Sequence, residues 1–446
     1  MNGFVTTARM CGVGVALSLV GCGAYAADMP TKAPIPYAGV DDFWTRPYLF
    51  GDLGRTKLKE QGISLALTLG DEAVTNLSGG SRNTSANAGQ LWFQAKFDMA
   101  KLAGIPGGTI GITLVDRFGK NLNSEAGIPA LQLTNEVFGR GNILRLTEFY
   151  YSQKLLGDRL ELKGGRLPVG SDFFFGQCEF INLTFCGGQP GNIQGGYIYN
   201  WPVSQWAGVV HYNFTKEWKL SVGVYDANPN YLTTSDAGVY LAPGIPRSNP
   251  AAGVLVPVEV VWEPSGPLNG TWRFGGWYDS ASSIDGGLPG IIGVVRGGPG
   301  VGDQNLSSQR GRYGFYESIL QRLTVDGPKA QGWYTFLNTS VADHRTSYQD
   351  YQIAWGIKHT GTFSFRPEDE VGFAVGTTHV NSAALTPNAG GNEIPLEAWY
   401  GWQATGWMNI KFDAQYVINP GGRGFNGAGV KTNNAVVLGL RTVVHF

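Results

Sequence analysis

The chain has 446 residues, of which 33 Lys and Arg and 34 Asp and Glu make only 15% charged side chains, whereas a soluble domain usually has about 25%. Glycine is abundant, with 66 residues, and Phe, Trp and Tyr together make up 12% of the chain, a composition that disfavours helix-rich architectures. The formal net charge of −1 excludes nucleic acid as the main partner, because binding to phosphates requires a clear basic excess.

The N-terminus has the features of a secretory signal peptide. Arg9 precedes the apolar stretch CGVGVALSLVG, and small residues then end at Ala24-Tyr25-Ala26. We therefore predict a signal peptide over residues 1–26. A lipoprotein signal is the alternative, because Leu19-Val20-Gly21-Cys22 has the shape of a lipidation box. The apolar stretch is too short to span a bilayer, and no other segment reaches 18 consecutive apolar residues.

Removal of this peptide leaves two cysteines, Cys178 and Cys186, in the mature chain. Because an exported protein folds in an oxidising compartment, this close pair predicts one local disulfide.

The next segment, residues 27–62, is rich in Pro and aromatic residues and is predicted to be irregular, with one short helix within 51–62 that ends at Gly62. From Ile63 to the C-terminus the helical period disappears and apolar residues alternate with polar ones. In MNIKFDAQYV (408–417), for example, every second residue is apolar and the residues between them are Asn, Lys, Asp and Gln. This period predicts strands with one apolar and one polar face.

Sixteen such runs follow Ile63, separated by clusters of Gly, Pro, Asn and Asp that predict turns. A soluble β-sandwich also has alternating strands, but sixteen strands of about ten residues are typical of a closed outer-membrane barrel with an apolar outer band, aromatic girdles and a polar interior. The predicted runs are 63–75, 90–100, 108–117, 143–154, 158–166, 206–214, 217–226, 256–263, 271–279, 310–322, 331–341, 350–360, 369–380, 395–406, 408–417 and 434–446.

The C-terminal run NAVVLGLRTVVHF ends the chain on an aromatic residue, Phe446. Val436, Leu438 and Leu440 share one face of this run, whereas Arg441 lies on the other. A terminal aromatic on the apolar face of an alternating strand resembles an outer-membrane assembly signal, so we assign that role to Phe446.

Several longer motifs resemble the OprB-type carbohydrate-selective porins of Gram-negative bacteria, and the resemblance covers nearly all of the mature chain. It implies a sixteen-stranded antiparallel barrel, residues 63–446, whose inward-folded loops narrow a pore through which glucose and similar sugars diffuse down their gradient. Residues 280–309 depart from the family by their length and glycine content. The motifs are the segment 49–80, GRLPVGSDF (165–173), FINLTFCGGQPGN (180–192), YNWPVSQWAG (199–208), NPGG (419–422) and VLGLRTVVHF (437–446).

Other chemistry finds little support in the sequence. Gly422, Gly424 and Gly427 form a G-x-G-x-x-G pattern, but it lies in a predicted turn and opens no helix that could hold a pyrophosphate. The five histidines make no metal-ligand spacing with Cys or carboxylates, and no G-x-S-x-G elbow is present. We therefore predict no enzyme activity, no metal and no cofactor.

A sugar presents hydroxyls at its rim and apolar C–H faces, so a narrow site needs charged or amide groups beside an aromatic plate. Arg145 and Glu148 are three residues apart, so both can face the interior only if the strand is irregular. The alternative for Arg117 is a solvated charge on the barrel wall, and the alternative for Trp201 is a residue that anchors a folded-in loop by packing. The predicted constriction residues are Arg117, Arg145, Glu148, Arg166, Asp172, Trp201 and Gln205.

The sequence thus predicts a passive sugar porin in the outer membrane of a Gram-negative bacterium. Its partners would be small sugars, outer-membrane lipids and the barrel assembly machinery, and its oligomeric state could be monomer or trimer. The alternatives are a general diffusion porin, a porin for another small polar solute, a surface barrel with a plugged lumen, and a soluble secreted lectin.

Overall fold

The computed structural model describes residues 42–174, 176–232, 239–240, 252–282, 310–327, 331–381, 390–425 and 431–446. The predicted signal peptide and most of the glycine-rich segment 280–309 lie outside these residues. Within them strands are the main regular structure, and the four helices have only five or six residues each. No helix among the described residues is long and apolar enough to cross a membrane.

Among the described residues, seventeen strands form one sheet. They are β1 Ile63–Ser78, β2 Thr84–Asp98, β3 Gly108–Gly119, β4 Ile143–Leu155, β5 Leu160–Leu167, β6 Gln205–Asn213, β7 Trp218–Ala227, β8 Val239–Tyr240, β9 Gly253–Trp262, β10 Gly270–Ser282, β11 Arg310–Arg322, β12 Gly332–Ala342, β13 Gln349–Thr360, β14 Glu370–Val380, β15 Gly391–Gln403, β16 Met408–Ile418 and β17 Ala435–His445. The helices are α1 Arg55–Glu60, α2 Met99–Ala103, α3 Leu122–Ala126 and α4 Gln189–Ile193.

Sixteen of these strands close into an antiparallel barrel. Each pairs with its neighbour in chain order, β7 pairs with β9, and β17 pairs back onto β1 through the register Glu72 with Arg441. The remaining strand, β8, has two residues and pairs in parallel with Leu144 and Arg145 of β4. The prediction of a sixteen-stranded antiparallel barrel is confirmed.

All sixteen predicted runs overlap observed barrel strands, but some boundaries differ. The strand β2 begins at Thr84, six positions before the predicted start at 90. Its first residues, TSANAG, are small and include no large apolar side chain, so the pairing with β1 rather than the local pattern determines where this strand begins.

The two faces of the strands are divided as the alternation predicts. In β16 the side chains of Phe412 and Tyr416 point outward and are 49% and 41% exposed, whereas Lys411 and Asp413 point inward and are buried. A closed sheet whose polar face is enclosed and whose apolar face is exposed differs from a sandwich, in which the apolar face forms the core.

Aromatic side chains gather at the end of the barrel that carries the short turns. Trp218, Trp262 and Trp272 occupy one row across three neighbouring strands, with ring centroids 5.7 and 5.6 Å apart. Such a row matches the aromatic girdle expected at a membrane interface.

The closing strand is also held at its C-terminal end. Phe446 donates its N–H to the carbonyl of Leu67 at 3.0 Å, and Leu49 donates its N–H to the carbonyl of His445 at 2.8 Å. The rings of Phe50 and Phe446 lie 5.7 Å apart. The segment before the barrel therefore covers the point at which the barrel closes.

Deletion of Phe446 should reduce the amount of barrel in the outer membrane far more than Phe373→Leu. Phe373 is an outward-facing residue of β14 that is 39% exposed, so its replacement by Leu removes little, whereas Phe446 completes the strand that closes the sheet. Quantification of the heat-modifiable band in membrane fractions measures this. Equal amounts of the two variants would show that Phe446 has no role in assembly.

Candidate functional site

Two long connections fold into the barrel instead of leaving it. We call residues 120–142, between β3 and β4, the first inserted loop, and residues 168–204, between β5 and β6, the second inserted loop. Most of their described side chains are buried, including Phe173, Phe180 and Tyr199. The prediction of inward-folded loops is therefore confirmed.

Carboxylates on the barrel wall accept hydrogen bonds from the main chain of these loops. Glu397 of β15 accepts the N–H groups of Ile181 and Asn182 at 2.6 and 2.8 Å. Four residues earlier on the same face, Glu393 accepts those of Leu131 and Gln132 at 2.6 and 3.2 Å. One strand thus holds both inserted loops.

A third wall carboxylate performs the same role on the opposite side of the second inserted loop. Glu259 of β9 accepts the N–H of Phe174 at 3.0 Å and also receives Arg273 and the hydroxyl of Tyr316, each at 2.8 Å. Its two oxygens are therefore fully used in fixing the loop to three strands.

An ion-pair network holds the loops near the closing strand. Arg441 of β17 donates to Glu72 of β1 at 2.8 Å, to Glu136 of the first inserted loop at 2.9 Å, and to the carbonyl of Cys178 in the second inserted loop. All three charged side chains are almost inaccessible to solvent. One guanidinium therefore connects the junction of β1 and β17 to both inserted loops.

A second charged cluster joins the second inserted loop to β5 and β6. Asp172 accepts from Lys163 at 2.8 Å and lies 3.2 Å from Nε2 of His211. Burial alone raises the pKa of Asp172, but Lys163 and His211 outweigh it and lower the pKa to about 2. Because the folded pKa is depressed, ionised Asp172 stabilises the fold above its ordinary pKa of 3.8, and that contribution is lost as the pH falls through about 2.

The tip of the second inserted loop is closed by a disulfide between Cys178 and Cys186, whose Cα atoms are 4.2 Å apart. A closed loop of this length restricts the unfolded chain by roughly 2.5 kcal/mol on the chain-entropy model. Glu179, inside the closed loop, forms an ion pair with Lys358 of β13, and its carbonyl accepts from Lys411 of β16. The tip is thus rigid in itself and bound to two wall strands.

Arg117 and Trp201, two of the predicted constriction residues, meet at one wall amide. Arg117 Nε and Trp201 Nε1 both donate to Gln90 Oε1, at 2.6 and 3.0 Å. Trp201 is 5% exposed and packs in a hydrophobic cluster. Its contacts favour the packing-anchor alternative. The other members of the cluster are Ala88, Trp92, Val115 and Val137.

Arg145 and Glu148 both lie on the inner side because β4 contains a bulge. The register changes from Thr113 opposite Glu148 to Leu114 opposite Leu146, so one residue of β4 is extra. This is the irregularity that the three-residue spacing requires. Glu148 accepts from Thr113 at 2.6 Å and from Ser171 at 3.0 Å, and Arg145 donates to the carbonyl of Tyr231 at 3.3 Å.

Arg166 and Gln205 lie near the point at which β4 changes its pairing partner. One end of β4 pairs with β5, and the other end pairs with β8. In the register of β4 and β5, Arg166 is opposite the outward-facing Phe149, yet its side chain is buried. Its guanidinium donates to the carbonyl of Ser204 at 2.9 Å and lies 4.8 Å from the Tyr231 ring. Gln205 is fully buried at the start of β6.

The structure brings Arg117 and Trp201 together at Gln90, and Glu148 close to Asp172 through Ser171. Arg145 and Arg166 meet at Tyr231. The sequence analysis missed the wall carboxylates. A signal for them exists, since Glu393 and Glu397 are isolated acidic residues on the same face of the apolar strand GNEIPLEAWYGWQ.

Comparison with known proteins agrees with this architecture. The family model described as "Carbohydrate-selective porin, OprB family" matches residues 82–446. The chain belongs to the OprB family. Porin B of Pseudomonas aeruginosa is 32% identical over 431 residues, which cover 90% of this chain and 91% of that protein. The putative porin QuiX of Acinetobacter baylyi is 32% identical over 444 residues, covering 91% and 95%.

The solved structures include a high-pH structure of Pseudomonas putida OprB, which aligns with a TM-score of 0.79 at 30% identity and covers 91% of this chain and 100% of that one. This OprB-family protein is therefore a carbohydrate porin of the Gram-negative outer membrane, as the sequence predicts. It is a channel and not an enzyme.

Arg441→Met should destabilise this porin by about 3–5 kcal/mol, because it leaves two buried carboxylates without their countercharge. Arg82→Met is the matched control, since Arg82 pairs with Glu125 at 3.4 Å on the surface, where a salt bridge contributes at most about 1 kcal/mol. The temperature at which the folded gel band converts to the unfolded one reports the difference. Equal temperatures for the two variants would contradict the role given to Arg441.

Proposed function

We propose that this porin passes neutral sugars of glucose size by passive diffusion, and that the inserted loops set its selectivity. The main support is the pairing of charge inside the barrel. Three acidic groups of the loops face a wall cation, in the pairs Glu136 with Arg441, Asp172 with Lys163, and Glu179 with Lys358. Ion-selective pores instead present rings of charge of one sign.

Aromatic rings beside these charges supply the second requirement of a sugar path. Lys411 Nζ lies 3.9 Å from the ring centroid of Trp399, and Lys163 Nζ lies 4.4 Å from that of Tyr150. A pyranose beside these pairs would find an ammonium group that donates hydrogen bonds to its hydroxyls, next to an aromatic ring. A narrow lumen of this chemistry favours sugars over apolar solutes of equal size.

The seven predicted constriction residues take an indirect role in this proposal. Their burial and their bonds to loop or wall groups favour a function in fixing the width of the lumen rather than in touching the solute. The residues are Arg117, Arg145, Glu148, Arg166, Asp172, Trp201 and Gln205.

The remaining parts of the chain are assigned to export and assembly. Residues 1–26 act as the signal peptide, and residues 27–62 form the segment that precedes the barrel. The outward apolar side chains contact outer-membrane lipids, and the assembly machinery reads the C-terminal strand ending at Phe446.

Single-channel recording with a glucose titration tests the proposed selectivity. The open channel should be blocked in a concentration-dependent manner, because a sugar that binds in the lumen excludes ions while it is bound. If the ion current does not change with the glucose concentration while small solutes pass in proportion to their size, the protein is a general diffusion porin.

A further inference from the structure

One edge of the second inserted loop rests on a neutral polar area of the barrel wall. The helix α4 of that loop packs against β12 and β13. On these strands Ser340 is paired with Gln352, which is paired with Thr378 of β14. In the adjoining row Asn338 is paired with Ala354, which is paired with Gly376. The loop residues from Thr184 to the end of α4 face these two rows. We call the region between them the polar seam.

The polar seam contains side-chain atoms that have no hydrogen-bond partner among the described residues. They are both amide atoms of Asn338, Oγ of Ser340, Oε1 of Gln352, both amide atoms of Gln189 and Oγ1 of Thr184. All five side chains are between 98% and 100% buried. Buried polar groups in proteins are normally paired, because an unpaired one costs free energy.

The loop and wall members of this set lie close together. A Cβ placed on Gly376 would lie 2.7 Å from the Thr184 methyl group, and Gly376 shares its row with Asn338 two strands away. Because neighbouring strands are about 4.8 Å apart, Gly376 lies roughly 10 Å from Asn338, and Thr184 meets this row at Gly376. The unpaired groups therefore line one narrow region rather than scattered sites.

An aromatic cluster borders the polar seam on the side of the short turns. Phe336 is two residues from Asn338 and faces the same way, and its ring centroid lies 5.6 Å from that of Phe180. Phe180 also contacts Phe185 at 5.3 Å and Trp399 at 5.7 Å. Hydroxyl-binding groups thus adjoin flat apolar surfaces, which is the combination that a sugar ring requires.

The two edges of the loop differ in how firmly they are attached. Near its tip, Glu179 forms an ion pair with Lys358, and Arg441 donates to the carbonyl of Cys178. Hydrogen bonds that involve charged groups are the stronger ones. At the edge with α4, the described hydrogen bonds to the wall are neutral ones, from Gln194 Nε2 to the carbonyl of Gln349 at 2.8 Å and from Trp277 Nε1 to the hydroxyl of Tyr197 at 3.1 Å. The edge of the loop at the polar seam is therefore displaced from the wall more easily than the tip.

We propose that a neutral hexose passes along the polar seam, displacing the α4 edge of the loop while its hydroxyls supply the missing hydrogen-bond partners. This inference rests on the proposed sugar selectivity and names the groups that provide it. A single ion cannot supply hydrogen bonds to this many neutral donors and acceptors at once. The polar seam therefore favours solutes that carry several hydroxyl groups.

Glucose block of single channels formed by the full chain tests this route. Asn338→Leu and the isosteric Ser340→Ala and Thr184→Val should each weaken the block, with about a tenfold rise in the half-blocking glucose concentration for Asn338→Leu, or about 1.4 kcal/mol. The folded band should resist heat as well as in the parent protein or better, because each change removes an unpaired buried group.

Tyr225→Phe is the matched control. Its hydroxyl is also buried and has no partner among the described residues, but it lies on β7 against Phe173, at the other end of the loop, so this change should leave the block unaltered. If the parent channel is blocked by glucose and all three seam variants are blocked at the same concentration, the seam route is wrong. If the parent channel is not blocked at all, the proposed selectivity itself fails.

Discussion

The interior of this barrel depends on wall carboxylates that accept hydrogen bonds from main-chain N–H groups of the inserted loops. A loop inside a barrel has no sheet partner, and its buried N–H groups would otherwise remain unpaired. Glu259, Glu393 and Glu397 meet this requirement from different positions on the wall. Because both oxygens of a carboxylate can accept, each of these residues fixes the direction as well as the position of the loop segment that it holds.

The ion pairs and the disulfide follow from that arrangement. Once carboxylates enter a closed lumen, they need countercharges, and Arg441 supplies one to Glu72 and Glu136 where the barrel closes. The disulfide between Cys178 and Cys186 stiffens the loop tip that lies beside this network. The result is a narrowed lumen in which three acidic groups of the inserted loops are paired with wall cations, as suits a member of the carbohydrate-selective porins.

The barrel was predictable from the sequence, whereas the details of its interior were not. A period of two residues encodes each strand locally, so β16 and β17 have the faces that their sequences predict, and the spacing of Arg145 and Glu148 required the bulge in β4. The path of the loops is set by contacts such as that between Ile181 and Glu397, which are 216 positions apart. No local pattern encodes such a contact, so the sequence left open whether Trp201 lines the constriction or anchors the loop by packing, and its contacts favour the anchor.

The most direct test of this account is the single-channel conductance of Glu397→Leu compared with Glu397→Gln. Leucine removes both acceptors and should release the tip of the second inserted loop, so the channel should conduct more ions and lose its preference for sugars, while the barrel still runs as a folded band. Glutamine keeps one carbonyl acceptor and should give a smaller change. An unchanged conductance in a correctly folded Glu397→Leu barrel would contradict the claim that wall carboxylates hold the constriction in place.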